Sequence, residues 1–363
     1  MHGAFEVWNA NDPREREAWL EVWQQWPDRE VSAHPDYGKL FAGEHDKVLC
    51  ASYVTPDHHG TVLYPFIWRE LSRFPIGQGV EAAMSDIITP YGYGGPYGWE
   101  LSDVDTVSVD FWTRFNIWAR NHNVVAEFIR FDLFPESLLP YPGDKVRRAS
   151  NLVRSLELDD DAMWMSFEQK VRKNVKKAQR SGVTVQIDEQ GRFISDFMRL
   201  YKGTMERREA DAGYYFPRTF FESIHRDLAG QFAYFHAFRE DEIISTELVL
   251  VSARSVYSFL GGTDSSAFDC RPNDLLKHEI IRWARAQGKK SFVLGGGAIP
   301  EDGIERYKRS FAPNGSVDFM TGQRILLPDL YQQLVGARQS EFALKNRAWP
   351  EESTFFPAYR MPL

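Results

Sequence analysis

Apolar runs separated by turn residues mark the strands of this chain. "VLCASYVT" and "TVLYPFIWREL", which flank a His-Gly turn, predict a β-hairpin over residues 48–71. "QFAYFHAFRE" and "IISTELVLVSA", joined through Asp241-Glu242, predict a second hairpin, and "SVYSFLGG" follows it as a further strand. Strands and helices mix without strict βαβ alternation, which favours an α+β fold with mixed α/β sheets.

A spaced repeat divides the chain. "IWAR" at Ile117–Arg120 matches "RWAR" at Arg282–Arg285, and "YGYGGPY" at Tyr91–Tyr97 matches "SFLGGTD" at Ser258–Asp264. In both copies a strand-like run precedes Gly-Gly, a helix follows, and an apolar strand comes next. Because the offsets are nearly equal and the order is the same, duplication is the better interpretation. We predict one domain over residues 1–150, a second over 151–325, and a C-terminal helix with a docked aromatic tail over 326–363.

The composition argues against several classes of protein. The chain has 363 residues, 43% of them hydrophobic, which is enough for two cores. A net charge of −8 gives no general attraction to polyanions. The only cysteines, Cys50 and Cys270, form no Cys/His cluster, so no metal site is expected, and two scattered thiols suit a reducing compartment. Without a long apolar run, the pattern predicts no membrane span and a cytoplasmic protein.

The most polarised segment is "WMSFEQKVRKNVKKAQRSGVTV". At helical spacing its apolar residues, from Trp164 to Ala178, share one face, and Gly182 is a natural helix end. The opposite face carries five basic residues: Arg172, Lys173, Lys176, Lys177 and Arg180. Two interpretations stay open: a solvated helix face, or a surface that binds the phosphates of RNA or of a pyrophosphate.

The order of motifs resembles the FemABX-like branch of the GNAT superfamily. A Gly-Gly loop is followed by "PN-x-LL", by "WA-x-x-x-G-x-K", by a strand ending in Gly-Gly, and by "Y-K-x-x-F" at Tyr307–Phe311. "RK-x-x-x-KA-x-x-x-GV", from Arg172 to Val183, is similar as well. The resemblance covers most of residues 30–325 and implies two tandem GNAT-like domains in an acyltransferase. Well-known members of this branch transfer amino acids from aminoacyl-tRNA to peptidoglycan precursors. No extended heptad pattern is present, so the chain resembles an armless member.

The resemblance also implies roles for particular residues. Lys308 matches the lysine of the family's F-K-x-x-F motif, which contacts a substrate phosphate or carboxylate. Arg207, or equally Arg208, stands where relatives carry a substrate-binding arginine, and Tyr214 lies just beyond. Tyr257 aligns with a tyrosine of the central strand, although a packed core position is an equal alternative. The predicted substrate-binding set is completed by Gly261, Gly262 and Asn273.

Direct transfer is the expected reaction, because no Ser/His/Asp or Cys/His motif suggests a covalent intermediate. Amide formation needs a proton acceptor for the attacking amine. Glu247, which interrupts an apolar strand, is the first choice, Asp264 is the second, and Lys308 completes the predicted catalytic set.

The loop before the second helix of the repeat bears on the acyl donor. Alignment on Leu275-Leu276 puts Cys270, Arg271 and Pro272 where CoA-dependent relatives carry glycines that approach a pyrophosphate. We therefore expect no cofactor, with aminoacyl-tRNA as donor and a peptide-like amine as acceptor. The alternatives are an acyl-CoA-dependent N-acyltransferase and a non-catalytic protein that binds an anionic ligand.

Overall fold

The structure is a computed structural model that describes residues 3–71, 84–297 and 302–363. Within these ranges the strands are β1 (Ala4–Asn9), β2 (Lys47–Val54), β3 (Thr61–Glu70), β4 (Ser85–Ile88), β5 (Tyr97–Trp99), β6 (Val124–Arg130), β7 (Asp144–Ser155), β8 (Val183–Asp188), β9 (Phe232–Arg239), β10 (Glu242–Val251), β11 (Ser255–Thr263), β12 (Ser291–Gly295) and β13 (Ser316–Ile325). The α-helices are α1 (Pro13–Gln25), α2 (Val104–Asn121), α3 (Asp160–Ser166), α4 (Gln169–Arg180), α5 (Ile194–Arg207), α6 (Arg218–Asp227), α7 (Pro272–Ala286), α8 (Gly303–Phe311) and α9 (Pro328–Leu344).

The chain divides into two compact units. Unit 1 comprises Met1–Trp26, Ser32–Arg148 and Phe319–Leu363, and unit 2 comprises Pro27–Val31 and Ala149–Asp318. The predicted boundary at 150 thus lies beside the observed one. The predicted C-terminal segment, residues 326–363, belongs to unit 1 together with the last part of β13, so it is not a separate region.

Each unit has the same strand order. In unit 1 the order is β1-β2-β3-β4-β6 followed by β13 from Phe319 onward, and in unit 2 it is β8-β9-β10-β11-β12 followed by β7 from Ala149 onward. Neighbouring strands are antiparallel except for one parallel pair in each unit, β4 with β6 and β11 with β12. A single long helix, α2 or α7, connects that parallel pair, and these helices contain the repeated "IWAR" and "RWAR". The predicted fold of two GNAT-like domains with mixed sheets is therefore confirmed.

The hairpins follow the apolar patterning. β2 pairs with β3, and β9 pairs with β10, both antiparallel as predicted. The predicted Gly-Gly loop is wrong, because Gly261 and Gly262 lie within β11. A Cβ atom on Gly262 would lie 2.2 Å from the carbonyl oxygen of Leu200 in α5, so Gly262 allows a helix backbone to approach the strand.

The polarised segment forms two helices where one was predicted. Phe167, in an extended conformation, separates α3 from α4. Gly182, directly after the end of α4, has a φ of 75°, which fits its predicted role at a helix end. The buried residues of α4, Val171, Val175 and Ala178, belong to the core of unit 2 with the apolar face of α7.

The C-terminal tail docks on unit 1 as predicted. Tyr359 is fully buried and belongs to one apolar cluster with Tyr331 and Leu334 of α9. Its hydroxyl donates a hydrogen bond to Asp86 of β4, at 3.0 Å. No helix in the described part of the chain is long and apolar enough to cross a membrane.

Candidate active site

A buried ion pair lies between the sheet and α7 of unit 2. Glu247 of β10 accepts hydrogen bonds at Oε1 from the Lys277 ammonium and from the Ser258 hydroxyl, the latter at 2.7 Å. Lys277 Nζ also donates to Ser258 Oγ at 2.8 Å. Both charged side chains are about nine-tenths buried, so each neutralises a charge that would otherwise be costly inside the protein.

A β-bulge brings Ser258 to this ion pair. β10 and β11 shift register between Leu248 and Val249, so that Leu248 pairs with Leu260 and Val249 with Ser258. Phe259 is the extra residue. The bulge leaves Ser258 on the same face of the sheet as Glu247, which pairs with Gly261.

Lys308 adds a second cation to this neighbourhood. It lies on α8, and its Nζ donates to the carbonyl oxygen of Gly296 at 2.7 Å. Burial and the positive charge of Lys277 lower the pKa of Lys308 to about 8, although Glu247 and Asp302 act in the opposite direction. A lysine with this pKa is partly neutral near neutral pH and can accept a proton.

A second cluster of hydrogen-bonded polar side chains, formed around Asn273, lies one turn earlier along α7. The amide oxygen of Asn273 accepts hydrogen bonds from Ser245 of β10, at 2.7 Å, and from Thr263 of β11, at 2.5 Å. Ser245 and Glu247 are two residues apart and lie on the same face of β10. Asn273 and Lys277 are one turn apart on α7. The two polar groups therefore fix α7 against the sheet at successive positions, and the predicted substrate contact of Asn273 is occupied by structural hydrogen bonds at its oxygen.

Arg207 lies near the start of α7. It is exposed at the end of α5, where it donates to Thr204 at 3.2 Å and lies over the ring of Phe268, 5.1 Å from its centroid. Arg208, at the end of the same helix, is exposed too, and so is Tyr214. These three side chains are accessible to a substrate, and their predicted role stays a prediction.

Tyr257 is buried in β11. Its hydroxyl donates a hydrogen bond of 2.7 Å to Glu30, a residue of the short N-terminal segment that belongs to unit 2. The structure therefore gives Tyr257 the packed core position that was the alternative to substrate binding.

Asp264 has a local structural role. It caps the 3₁₀ helix Ser265–Cys270 by accepting hydrogen bonds from the backbone and side chain of Ser266. These bonds lower the pKa of Asp264, with smaller contributions from the charges of Arg199 and Arg207. A carboxylate with a lowered pKa is a weaker base, so Asp264 is less suited to accept a proton than Lys308.

The turn before α7 lacks the features of a pyrophosphate-binding loop. Cys270 is buried and its thiol faces the carbonyl oxygen of Ala267, at 3.0 Å. Arg271 adopts a left-handed conformation and Pro272, which has no N–H, is the first residue of the helix. The residues present therefore do not fit the pyrophosphate of coenzyme A in the way that a glycine-rich loop would.

Only part of the basic face of α4 is available to bind phosphate groups. Arg172 donates to the carbonyl oxygens of Met165 and Phe167, so it caps α3 and is not among the residues free to bind phosphate. Lys176 lies 5.8 Å from the centroid of the Trp164 ring, and Arg180 donates to the carbonyl oxygen of Lys176. Lys173 and Lys177 are exposed, and together with Lys176 and Arg180 they leave four cations at the surface.

Comparison with known proteins identifies a related protein family over part of the chain. A family model described as an acetyltransferase (GNAT) domain matches residues 165–309, which contain Glu247, Lys277 and Lys308. This segment is a GNAT domain. The predicted enzyme class, an acyltransferase of the GNAT superfamily, is thereby confirmed. No curated protein matches the sequence.

Solved structures share the fold over nearly the whole chain. The crystal structure of FemX is 15% identical with a TM-score of 0.62, and the match covers 87% of this chain and 97% of that one. The C-terminal domain (DUF2156) of a putative lysylphosphatidylglycerol synthetase from Agrobacterium fabrum is 13% identical with a TM-score of 0.51, covering 87% and 95%. L-PGS from Bacillus licheniformis is 12% identical with a TM-score of 0.51, covering 94% and 99%. At these identities the matches show the fold, and the resemblance to the FemABX-like branch is confirmed at that level.

The sequence pattern did not single out Lys277 or Ser258 as site residues. Lys277 falls within the apolar stripe of α7, between Leu276 and Ile281, where a lysine is rarely buried unless it is paired. That position could have revealed an ion pair with Glu247, the only acidic residue among the buried positions of β10. Ser258 gave no signal, because its position depends on the bulge. Within the described residues, no group of three or more His, Cys, Asp or Glu side chains could hold a metal ion.

Proposed function

We propose that this protein transfers an aminoacyl group from aminoacyl-tRNA to the amine of a peptidoglycan precursor or peptide-like metabolite. The observation that carries this choice of donor is the turn before α7, where Cys270 and Pro272 replace the glycines that coenzyme A requires. The fold it shares with FemX, and with a protein named for making lysylphosphatidylglycerol, supports an aminoacyl group over a simple acetyl group.

Lys308 is the proton acceptor in this proposal. In its neutral form, Lys308 Nζ takes a proton from the acceptor's ammonium group. The resulting amine attacks the ester carbonyl, and a C–N bond forms as the bond to the ribose oxygen breaks. Lys308 returns its proton to that oxygen, and the second proton of the attacking nitrogen leaves to solvent.

Glu247 and Lys277 act on the reaction through Lys308. The charge of Lys277 favours the neutral form of Lys308, and the ion pair with Glu247 holds Lys277 in place. Glu247 was the first choice as proton acceptor from the sequence. In the structure it holds a buried ion pair, so we assign it a positioning role.

The exposed cations of α4 bind the tRNA backbone in this proposal. The affinity of the protein for tRNA should therefore fall steeply as the salt concentration rises, since phosphate contacts release counterions. K173E/K177E reverses two exposed charges without touching Arg172, which caps α3. The matched control is K202E/K290E, which reverses two other exposed lysines of unit 2.

Binding and transfer are measured with the same purified protein. A charged tRNA at about a hundred times its Kd should raise the free energy of unfolding by about 2.7 kcal/mol, and coenzyme A should have no effect. K173E/K177E should bind tRNA at least about tenfold more weakly while K202E/K290E binds like wild type. Amine-dependent loss of the label from a panel of labelled aminoacyl-tRNAs then identifies the transferred group.

An acyl-CoA-dependent N-acyltransferase is the second candidate, because the matching family model is described as an acetyltransferase domain. Stabilisation by coenzyme A without any response to charged tRNA would replace the first proposal with this one. Equal tRNA binding by both double variants would show that the basic face of α4 does not bind tRNA.

A further inference from the structure

Unit 1 contains a cavity that the reaction proposed above does not use. Its volume is about 650 Å³, and it is lined by the ends of β3, β4 and β6, by Arg148 of β7 and by the C-terminal tail. Four of the lining side chains are arginines: Arg69, Arg130, Arg148 and Arg360. So many guanidinium groups around one cavity are unusual in a chain whose net charge is −8.

Two of the arginines are held by one carboxylate. Asp86 of β4 is fully buried and accepts hydrogen bonds from Nε of Arg69, at 2.7 Å, and from Nε of Arg360, at 2.5 Å. The hydroxyl of Tyr359 donates to the same carboxylate. These contacts fix the tail as one wall of the cavity.

The other two arginines are held by neutral groups. Arg130 donates to the carbonyl oxygen of Thr89 at 3.2 Å. Arg148 donates from Nε to the Thr321 hydroxyl at 2.9 Å and from a terminal nitrogen to Thr354 of the tail. Within residues 3–71, 84–297 and 302–363, neither arginine forms an ion pair with a carboxylate.

Crowding of like charges makes this cavity suited to an anion. Burial lowers the pKa of Arg130, and the positive charge of Arg69 lowers it further, so the charged guanidinium is held at an electrostatic cost. A bound anion would offset that cost. The planar guanidinium presents paired donors that match the oxygens of a phosphate group.

The cavity also has an apolar wall. The ring of Phe128 stacks with that of Phe356, with centroids 6.3 Å apart, and the Arg130 guanidinium lies 5.3 Å from the Phe128 centroid. Phe355 also lines the cavity and is 44% exposed. A cavity of this volume has room for a drug-sized molecule and is far larger than a single phosphate ion.

We propose that this cavity binds an organic phosphate of about mononucleotide size that carries two or more negative charges. Its phosphate is held by Arg130 and Arg148, and its organic part packs on Phe128 and Phe355. The site lies within unit 1 and is independent of the acyl-transfer cluster in unit 2, so either assignment can fail without the other.

Calorimetric titration of the full chain tests the ligand class with four probes: ADP, glucose 6-phosphate, inorganic pyrophosphate and adenosine. ADP or glucose 6-phosphate should bind at least about tenfold more tightly than pyrophosphate, and the tighter of the two identifies a nucleotide or a sugar phosphate. Adenosine should not bind. Pyrophosphate or adenosine binding as tightly as the organic phosphates would overturn the proposal, as would binding by tRNA alone.

Substitutions of the cavity arginines test whether the organic phosphate binds in this cavity. R130Q/R148Q should weaken binding of the best probe at least about a hundredfold, since it removes two sets of charge-assisted hydrogen bonds to the phosphate. The matched control is R147Q, because Arg147 is exposed and strand alternation directs it away from the face of Arg148. R130K/R148K keeps the charge but loses the planar donors, so it should bind with intermediate affinity. Unchanged binding by R130Q/R148Q would overturn the proposal, and thermal unfolding without ligand reports whether each variant folds.

Discussion

The two units of this protein hold two different kinds of buried cation. In unit 2, Lys277 and Lys308 lie near one carboxylate, Glu247, and the pKa of Lys308 falls to about 8. In unit 1, four arginines surround a cavity, two of them held by Asp86. A lysine can lose its proton when it is buried beside another cation, whereas an arginine keeps its charge in the same situation. The lysine cluster is therefore suited to proton transfer and the arginine cavity to holding an anion.

The largest effect is expected from K308M. Loss of a positioned proton acceptor should lower kcat for aminoacyl transfer by about 10²–10⁴-fold while tRNA binding is retained. K308R should be nearly as inactive, because a guanidinium does not become neutral. R147Q, which changes an exposed arginine of unit 1, should leave kcat unchanged. Activity retained in K308R would show that only the charge of Lys308 matters.

The ion pair itself can be broken in unit 2. E247Q leaves Lys277 buried without a counter-charge, which should lower the free energy of unfolding by about 3–5 kcal/mol in denaturant titrations. E247Q/K277M removes both charges, so much of that loss should be recovered. If E247Q unfolds like wild type, the pair is more solvated than its burial indicates.

A smaller effect concerns pH. Because the neutral form of Lys308 is the active one, the transfer rate should rise with pH and level off above about pH 8. K277Q removes a positive charge beside Lys308 and leaves Glu247 unpaired, and both changes raise the pKa of Lys308. The midpoint of the profile should therefore move to higher pH, and the rate at neutral pH should fall about tenfold for every pH unit by which the midpoint rises. R147Q should leave the midpoint in place, and a midpoint at lower pH in K277Q would contradict the proposed role of Lys277.

Much of the fold could be predicted because local patterns express it directly. The hairpins β2–β3 and β9–β10 follow from apolar runs and turn residues, and the helices α2 and α7 follow from the spaced repeat. The Gly-Gly pair was misassigned to a loop, because glycine signals conformational freedom without saying whether a turn or a close helix contact requires it. The contact of Gly262 with the backbone of α5 depends on tertiary packing.

The candidate sites were harder to predict than the fold. Lys308 and Glu247 could be selected, one from a family motif and one from a charge inside an apolar strand. Their relation depends on Lys277 and on a bulge that presents Ser258, both of which require the three-dimensional pairing of β10, β11 and α7. The arginine cavity could not be predicted, because Arg69, Arg130, Arg148 and Arg360 are far apart in sequence and meet only when the tail docks on unit 1.

A titration of Lys308 by NMR tests the central claim most directly. Lysine side chains labelled with ¹³C at Cε report their own protonation, and the spectrum of K308R assigns the signal of Lys308. The account predicts a midpoint of about 8 in the wild-type protein and a higher midpoint in K277Q. A midpoint near the ordinary lysine value of about 10.4 in both proteins would contradict it.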